Sequence, residues 1–116
     1  MSDTSTTVSK LKDMVRAFVD ERDWEKFHTP KNISIAMAVE VAELMEHFQW
    51  LDSDESLTLK RDKSKMHDVG EELADVLCYA MALANTLGID ISETMRAKMK
   101  KNRAKYPVEE YRGRFE

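Results

Sequence analysis

The sequence predicts an all-α domain, and three observations carry that expectation. Apolar residues recur at the three-and-four spacing of amphipathic helices along most of the chain. Glycine and proline, which interrupt helices, number only 3 and 2 in 116 residues. No run alternates with the period of two that marks a half-buried strand. The expected architecture is four helices in an antiparallel bundle. With 42% hydrophobic and 34% charged residues, positions 1–116 suit a single folded domain with a core but little to spare.

In chain order, residues 1–5 are polar and expected to be flexible. Thr6 or Thr7 can cap a first helix whose stripe is Val8, Leu11, Met14, Val15, Phe18 and Val19. The segment Arg22-Asp23-Trp24-Glu25-Lys26-Phe27-His28 breaks that stripe and gathers two aromatic rings and an imidazole. Either Trp24 and Phe27 plug the end of a small core with His28 at the surface, or the rings belong to a site. Thr29-Pro30 is an N-cap followed by proline at the first helical position. The second helix is expected from Lys31 to Trp50, roughly 30 Å long. Its apolar residues, from Ile33 through Val39 and Leu44 to Phe48, cover nearly its whole circumference, as in a helix that is central or lies at a subunit contact.

Leu51 to Leu59 reads as a polar connection, with Asp52, Asp54 and Glu55 in a solvated loop rather than a metal site. A third helix begins between Arg61 and Lys65 and reaches Asn85 or Thr86, with Gly88 as its stop. Gly70 inside it costs about 1 kcal/mol relative to alanine, which points to a bend or a close contact. Asp90-Ile91-Ser92-Glu93 has the form of a capping box and opens a fourth helix that ends before Pro107. Residues 108–116 read as an irregular, flexible tail.

Composition narrows the setting. The single cysteine, Cys78, sits in an apolar run and reads as a packing residue in a reducing compartment. The N-terminus lacks the basic and apolar regions of a secretory signal. The longest apolar run, Leu73 to Leu87, carries Asp75 and falls short of the ~18 residues a membrane span needs, so no membrane role and a cytoplasmic location are expected. The net charge of −4 argues against nonspecific nucleic-acid binding, yet it is unevenly spread. Residues 91–116 hold eight Lys and Arg against four Glu, a net +4, which leaves −8 for residues 1–90. An acidic body with a basic end suits an anion held by metal on one side and by cations on the other.

Two acidic pairs dominate the chemistry. Glu40-x-x-Glu43 and Glu72-x-x-Asp75 each place two carboxylates on one helix face, inside stretches that otherwise read as buried. Charges in such surroundings are paired, protonated or bound to a metal. If helices two and three form a hairpin, Glu40 and Glu72 lie at similar depths from the connection and the pairs meet. Four carboxylates without Cys or His at ligand spacing suit Mg²⁺ or Mn²⁺ rather than structural zinc. A di-iron bundle would want Glu-x-x-His pairs, whereas His47 follows Glu43 by four. The competing account pairs these acids with Lys or Arg from helices one and four.

These residues carry a resemblance. Glu40-x-x-Glu43 and Glu72-x-x-Asp75 stand with Glu21-Arg22-Asp23-Trp24-Glu25, Phe27-His28-x-Pro30-x-Asn32, Glu46-x-Phe48-Gln49-Trp50, Lys98-Met99, Asn102 and Tyr106-Pro107. Together they resemble the MazG-type all-α nucleoside triphosphate pyrophosphohydrolases, the dCTP pyrophosphatase branch more than the long two-domain proteins. The match covers Phe18 to Pro107. It implies hydrolysis between the α and β phosphates of a (deoxy)nucleoside triphosphate, giving monophosphate and pyrophosphate, with dCTP or modified and noncanonical dNTPs as substrates in nucleotide-pool sanitation. The resemblance assigns Glu40, Glu43, Glu72 and Asp75 to catalysis and to Mg²⁺, with Mn²⁺ as a substitute. It assigns Trp24, His28 and Trp50 to the base, Tyr79 to the sugar, Lys98, Asn102 and Arg103 to the triphosphate, and Tyr106 to closing the site. It also implies a homo-oligomer, dimer or tetramer, whose sites take residues from neighbouring subunits. In some dCTP-selective relatives the first helix supplies a histidine toward the base; Val15 fits that position here. The alternatives are a non-catalytic helical interaction or regulatory module and a dUTPase-like all-α hydrolase.

Overall fold

The computed structural model describes residues 1–114. Among them are six α-helices and no strand: α1 (Val8–Glu21), α2 (Pro30–Glu46), α3 (Ser53–Thr58), α4 (Lys63–Leu87), α5 (Ile91–Lys105) and α6 (Val108–Tyr111). Short 3₁₀ turns at Glu25–Phe27 and Leu59–Arg61 lead into α2 and α4.

The helix starts are set by side-chain caps. The Thr7 hydroxyl accepts from the Lys10 amide at 3.1 Å, and the Thr29 hydroxyl accepts from the Asn32 amide at 3.2 Å, with Pro30 at the first position of α2. The Asp62 carboxylate takes the amides of Ser64 and Lys65, both at 3.1 Å, and opens α4. The Asp90 carboxylate takes the Glu93 amide at 2.9 Å and opens α5. Gly88 ends α4 at φ +67°, the left-handed cap that an L side chain resists.

Three segments differ from the sequence expectation. α2 stops at Glu46, and His47 to Trp50 continue as turns rather than helix. The connection expected to be a polar loop holds α3, because Asp52-x-x-Glu55 closes a capping box: the Glu55 amide donates to Asp52 at 2.8 Å and the Asp52 amide donates to Glu55 at 3.2 Å. The expected irregular tail holds α6, where Tyr111 meets Tyr106 edge to face at 5.1 Å. Residues 115–116 of that tail lie outside the described residues. At the other end, residues 1–5 include a turn in which the Ser5 amide donates to the Ser2 carbonyl.

α2 packs along α4, the most extensive helix pairing in the chain, and α1 packs on α4. Asn85 brackets α1 to α4: its carbonyl oxygen accepts from Arg16 at 3.0 Å, and its amide donates to the Lys12 carbonyl at 2.9 Å. Lys12 in turn donates to the Ile89 carbonyl at 2.8 Å. α5 turns away from α4 by 102° and lays no comparable face on any other helix. The packed part is therefore a three-helix layer with the basic helix projecting from it.

That shape leaves little interior. Ile33 at 1% exposure, Ala82 and Ala84 are the buried apolar residues among those described. The radius of gyration is 17.2 Å, against roughly 13 Å for a compact chain of this length. Met45 on α2 is exposed, as the all-round apolar α2 foreshadowed, and so are Leu73 and Leu77 on α4. Gly70 sits in mid-α4 with nothing within 4 Å of where a Cβ would be, so the close contact expected there is not made within the described residues. No single described helix is long and apolar enough to cross a membrane.

Candidate active site

The α2–α4 pairing brings the two acidic pairs together. One carboxylate oxygen from each of Glu40, Glu43 and Glu72 lies within 4.8 Å of the others. Asp75 stands outside that set, but it is near enough for its charge to act on both Glu40 and Glu72. Glu40 shares a cavity with Asp75, while Glu72 feels Glu43 most strongly among its charged neighbours, so α2 and α4 run in opposite directions past each other.

The electrostatics follow from crowding like charges in a partly buried place. Withdrawal from water, a hydrogen bond shared with Glu43, and the charges of Glu43, Asp75 and Glu72 push the Glu40 carboxyl up to about 7. The same causes raise Glu72, led by loss of water and then by Glu43, while the nearby His47 imidazole works in the opposite direction. Glu40 Oε2 and Glu72 Oε2 are closed off from solvent and have no hydrogen-bond partner among the described residues. Unpartnered, buried carboxylate oxygens are costly unless something cationic meets them. The nearest lysines and arginines do not: no ion pair among the described residues involves any of the four acids. A hard-oxygen donor set with two orphaned oxygens fits a divalent cation.

Beside the acids lies a cavity of about 460 Å³ that Glu40 and Asp75 share with Trp24, His28 and Tyr79. Its α1 wall is apolar, formed by Met14, Val15, Phe18 and Val19. The rings are near-parallel: Trp24 and His28 lie 6.4 Å apart at 14°, and His28 and Tyr79 lie 6.5 Å apart at 23°. Phe18 meets Trp24 edge to face at 5.7 Å. The local fold sets Trp24 there. Asp23 adopts φ 54° and turns the chain out of α1, and the Trp24 amide bonds back to the Val19 carbonyl at 3.1 Å. Trp24 and His28 are thus part of a ring-lined cavity, whereas Phe27 stays exposed and plugs no core.

Other sequence candidates are not brought to this place. Trp50 is 87% exposed and does not line the cavity. Lys98, Asn102 and Arg103 lie on α5, and Tyr106 caps its end; none of them lines the cavity. Cys78 is exposed and lines the cavity rather than the core, with burial and Asp75 raising its thiol. Sequence reasoning missed Met14 and Phe18 as cavity residues because their stripe reads as core. It noticed the spacing of His47 but had no way to see it beside Glu72.

A family model described as MazG-like matches residues 35–114, most of the chain. The chain belongs to the MazG-like family. The match runs from Ile35, inside α2, through α4 and α5, so both acidic pairs fall inside the matched region, while Trp24 and His28 precede it. This MazG-like chain is 37% identical over 107 residues to dCTP pyrophosphatase 1 of Bos taurus and 38% identical over 102 residues to that of Homo sapiens. Those alignments cover 92% and 88% of the chain but only 63% and 60% of the relatives' length. The crystal structure of a pyrophosphatase from Archaeoglobus fulgidus superposes with a TM-score of 0.79 at 42% identity, covering 92% of this chain and 98% of that one. The helical architecture is therefore shared with that pyrophosphatase over 92% of the chain.

Proposed function

We propose that this protein hydrolyses (deoxy)nucleoside triphosphates to the monophosphate and pyrophosphate, with dCTP and modified or noncanonical dNTPs as its substrates, as a cytoplasmic cleaner of the nucleotide pool. The observation that carries this reading is the convergence of Glu40, Glu43 and Glu72 within 4.8 Å at the edge of a cavity lined by flat rings. Acids beside rings suit a molecule with a cation-bound polyphosphate at one end and a base at the other. The pyrophosphatases to which the chain is similar support it further.

Glu40, Glu43, Glu72 and Asp75 would hold Mg²⁺, with Mn²⁺ as a substitute. When bound, such a cation neutralises phosphate oxygens and acidifies water. The chain's own part is to position. The four carboxylates would meet the polyphosphate end through that cation, and one of the glutamates, Glu40 or Glu43, would orient or deprotonate the attacking water. Trp24 and His28 take the base, Tyr79 packs against the sugar, and the apolar α1 wall keeps water from that end.

The reading needs a second copy of the chain. Among the described residues no Lys or Arg forms an ion pair with the acids, and the six Lys and Arg of α5 make none of the ion pairs present. A neighbouring subunit of a dimer or tetramer would bring Lys98, Asn102 and Arg103 to the triphosphate, Trp50 to the base and Tyr106 over the mouth of the site. The exposed apolar faces of α2 and α4 are what such an assembly would cover.

The decisive assay is pyrophosphate release from a panel of triphosphates with and without Mg²⁺. Release should require the metal and fall by at least about a hundredfold in Glu40→Gln and Asp75→Asn. A panel on which no triphosphate is cleaved with either metal would rule the reading out. Mixing an inactive Glu72→Gln chain with an inactive Lys98→Ala chain should restore part of the activity if sites are shared between subunits.

A further inference from the structure

α5 carries more positive charge than one triphosphate uses. Six of its 15 residues are Lys or Arg, all of them exposed, against the single acid Glu93. At about 100° per residue, Arg96, Lys100 and Arg103 line one side of the helix and fall at least about 140° round from Lys98. A helix that turns Lys98 and Asn102 toward a neighbouring site therefore leaves that side outward, with Arg103 at its border. Arg96 and Lys100 are four residues apart and Lys100 and Arg103 three, spacings at which like charges repel and weaken a helix. No ion pair among the described residues relieves them, Glu93 included. A surface helix that serves solubility alone intersperses both signs. What this side lacks is an anion. Nor does the acidic body shield it: α5 leaves α4 at 102° and, at 1.5 Å per residue, runs about 22 Å from it. With a Debye length of about 10 Å at 0.1 M salt, its outer half is screened from the charge that weighs against nucleic-acid binding by the molecule as a whole.

We propose that the Arg96, Lys100 and Arg103 side of α5 is a docking surface for the phosphodiester backbone of nucleic acid, held by charge and blind to sequence. The nucleotide reading above enters only in saying which side of α5 faces outward. The side has no apolar anchor at its centre. Lys100 is flanked by Ala97 and Ala104, while of the exposed methionines Met95 lies on the Asn102 side and Met99 at the border. A protein interface is built round a buried apolar or aromatic centre, and a membrane surface takes up apolar side chains. A phosphate backbone asks only for closely spaced positive charge.

The probe is a fluorescein-labelled DNA duplex of mixed sequence, followed by anisotropy with the unaltered full chain and no divalent metal. Three neutralised phosphates give a slope of about −2.7 in log affinity against log salt, so binding should weaken roughly fortyfold between 50 and 200 mM salt. Arg96→Gln combined with Lys100→Gln leaves one of the three charges, so affinity at low salt should fall at least about tenfold and the salt response should shrink to about threefold. The same variant should release pyrophosphate with unaltered kcat and KM, since neither residue meets the triphosphate. Duplex binding that a folded double variant retains, or a salt response of the unaltered chain no larger than threefold, would each overturn the inference. So would polyglutamate or phosphatidylserine vesicles that displace the labelled duplex as well as unlabelled duplex does at equal charge, the first assigning the side to an acidic protein and the second to a membrane. The salt and competitor arms use the unaltered chain, so they decide even where the variant fails to fold. A protein that holds the duplex on this side yet cleaves no triphosphate would refute the hydrolase reading and leave the docking surface standing.

Discussion

Glu40 is where the cost of the site is concentrated. Its carboxyl is raised from 4.5 to about 7, so the folded protein binds a proton between those values that the unfolded chain does not. The stabilisation that this proton provides is fully present below pH 4.5 and is lost as pH rises through about 7. Metal-free protein should therefore melt at a lower temperature at pH 8 than at pH 5.5. Adding Mg²⁺ should recover the loss at pH 8 and do little at pH 5.5, which thermal melts at the two values would read directly. At the far end of α4, Gly88 is held at φ +67°, and Gly88→Ala should cost about 1–2 kcal/mol in urea unfolding, although the space around it is open.

Among the elements, α3 is the one most dependent on its cap. It has six residues, too few to persist alone, and the reciprocal bonds of Asp52 and Glu55 supply its first turn. Asp52→Ala should cost about 1 kcal/mol and raise amide exchange across residues 53–58 while leaving α4 protected. That cap was present in the sequence and still read as a loop, because polar residues around a capping box look the same whether or not a helix follows. The longer helices were legible: Thr29-Pro30, Gly88 and Asp90 mark ends that the fold keeps. The meeting of Glu40 and Glu43 with Glu72 was legible for the same reason, since spacing on two neighbouring helices fixes which faces they share. What spacing could not supply was direction between elements. Nothing in the pattern of α5 says that it leaves α4 at 102°, nor that Trp50, beyond an early end to α2, stays exposed and outside the cavity lining.

At the level of the whole molecule, a chain with three buried apolar residues among those described and a 17.2 Å radius of gyration is a poor monomer. Light scattering after size exclusion should find a dimer or tetramer, and the melting temperature should rise with protein concentration. Gly70 gives that expectation a finer edge. A glycine in the middle of a 25-residue helix weakens it by about 1 kcal/mol, and no crowding among the described residues requires it. In the proposed assembly that bare flank would let a second backbone settle against α4 where a side chain would hold it off. A methyl group there should strengthen the isolated helix and loosen the assembly, so Gly70→Ala should melt higher than the unaltered protein in dilute solution and lower in concentrated solution.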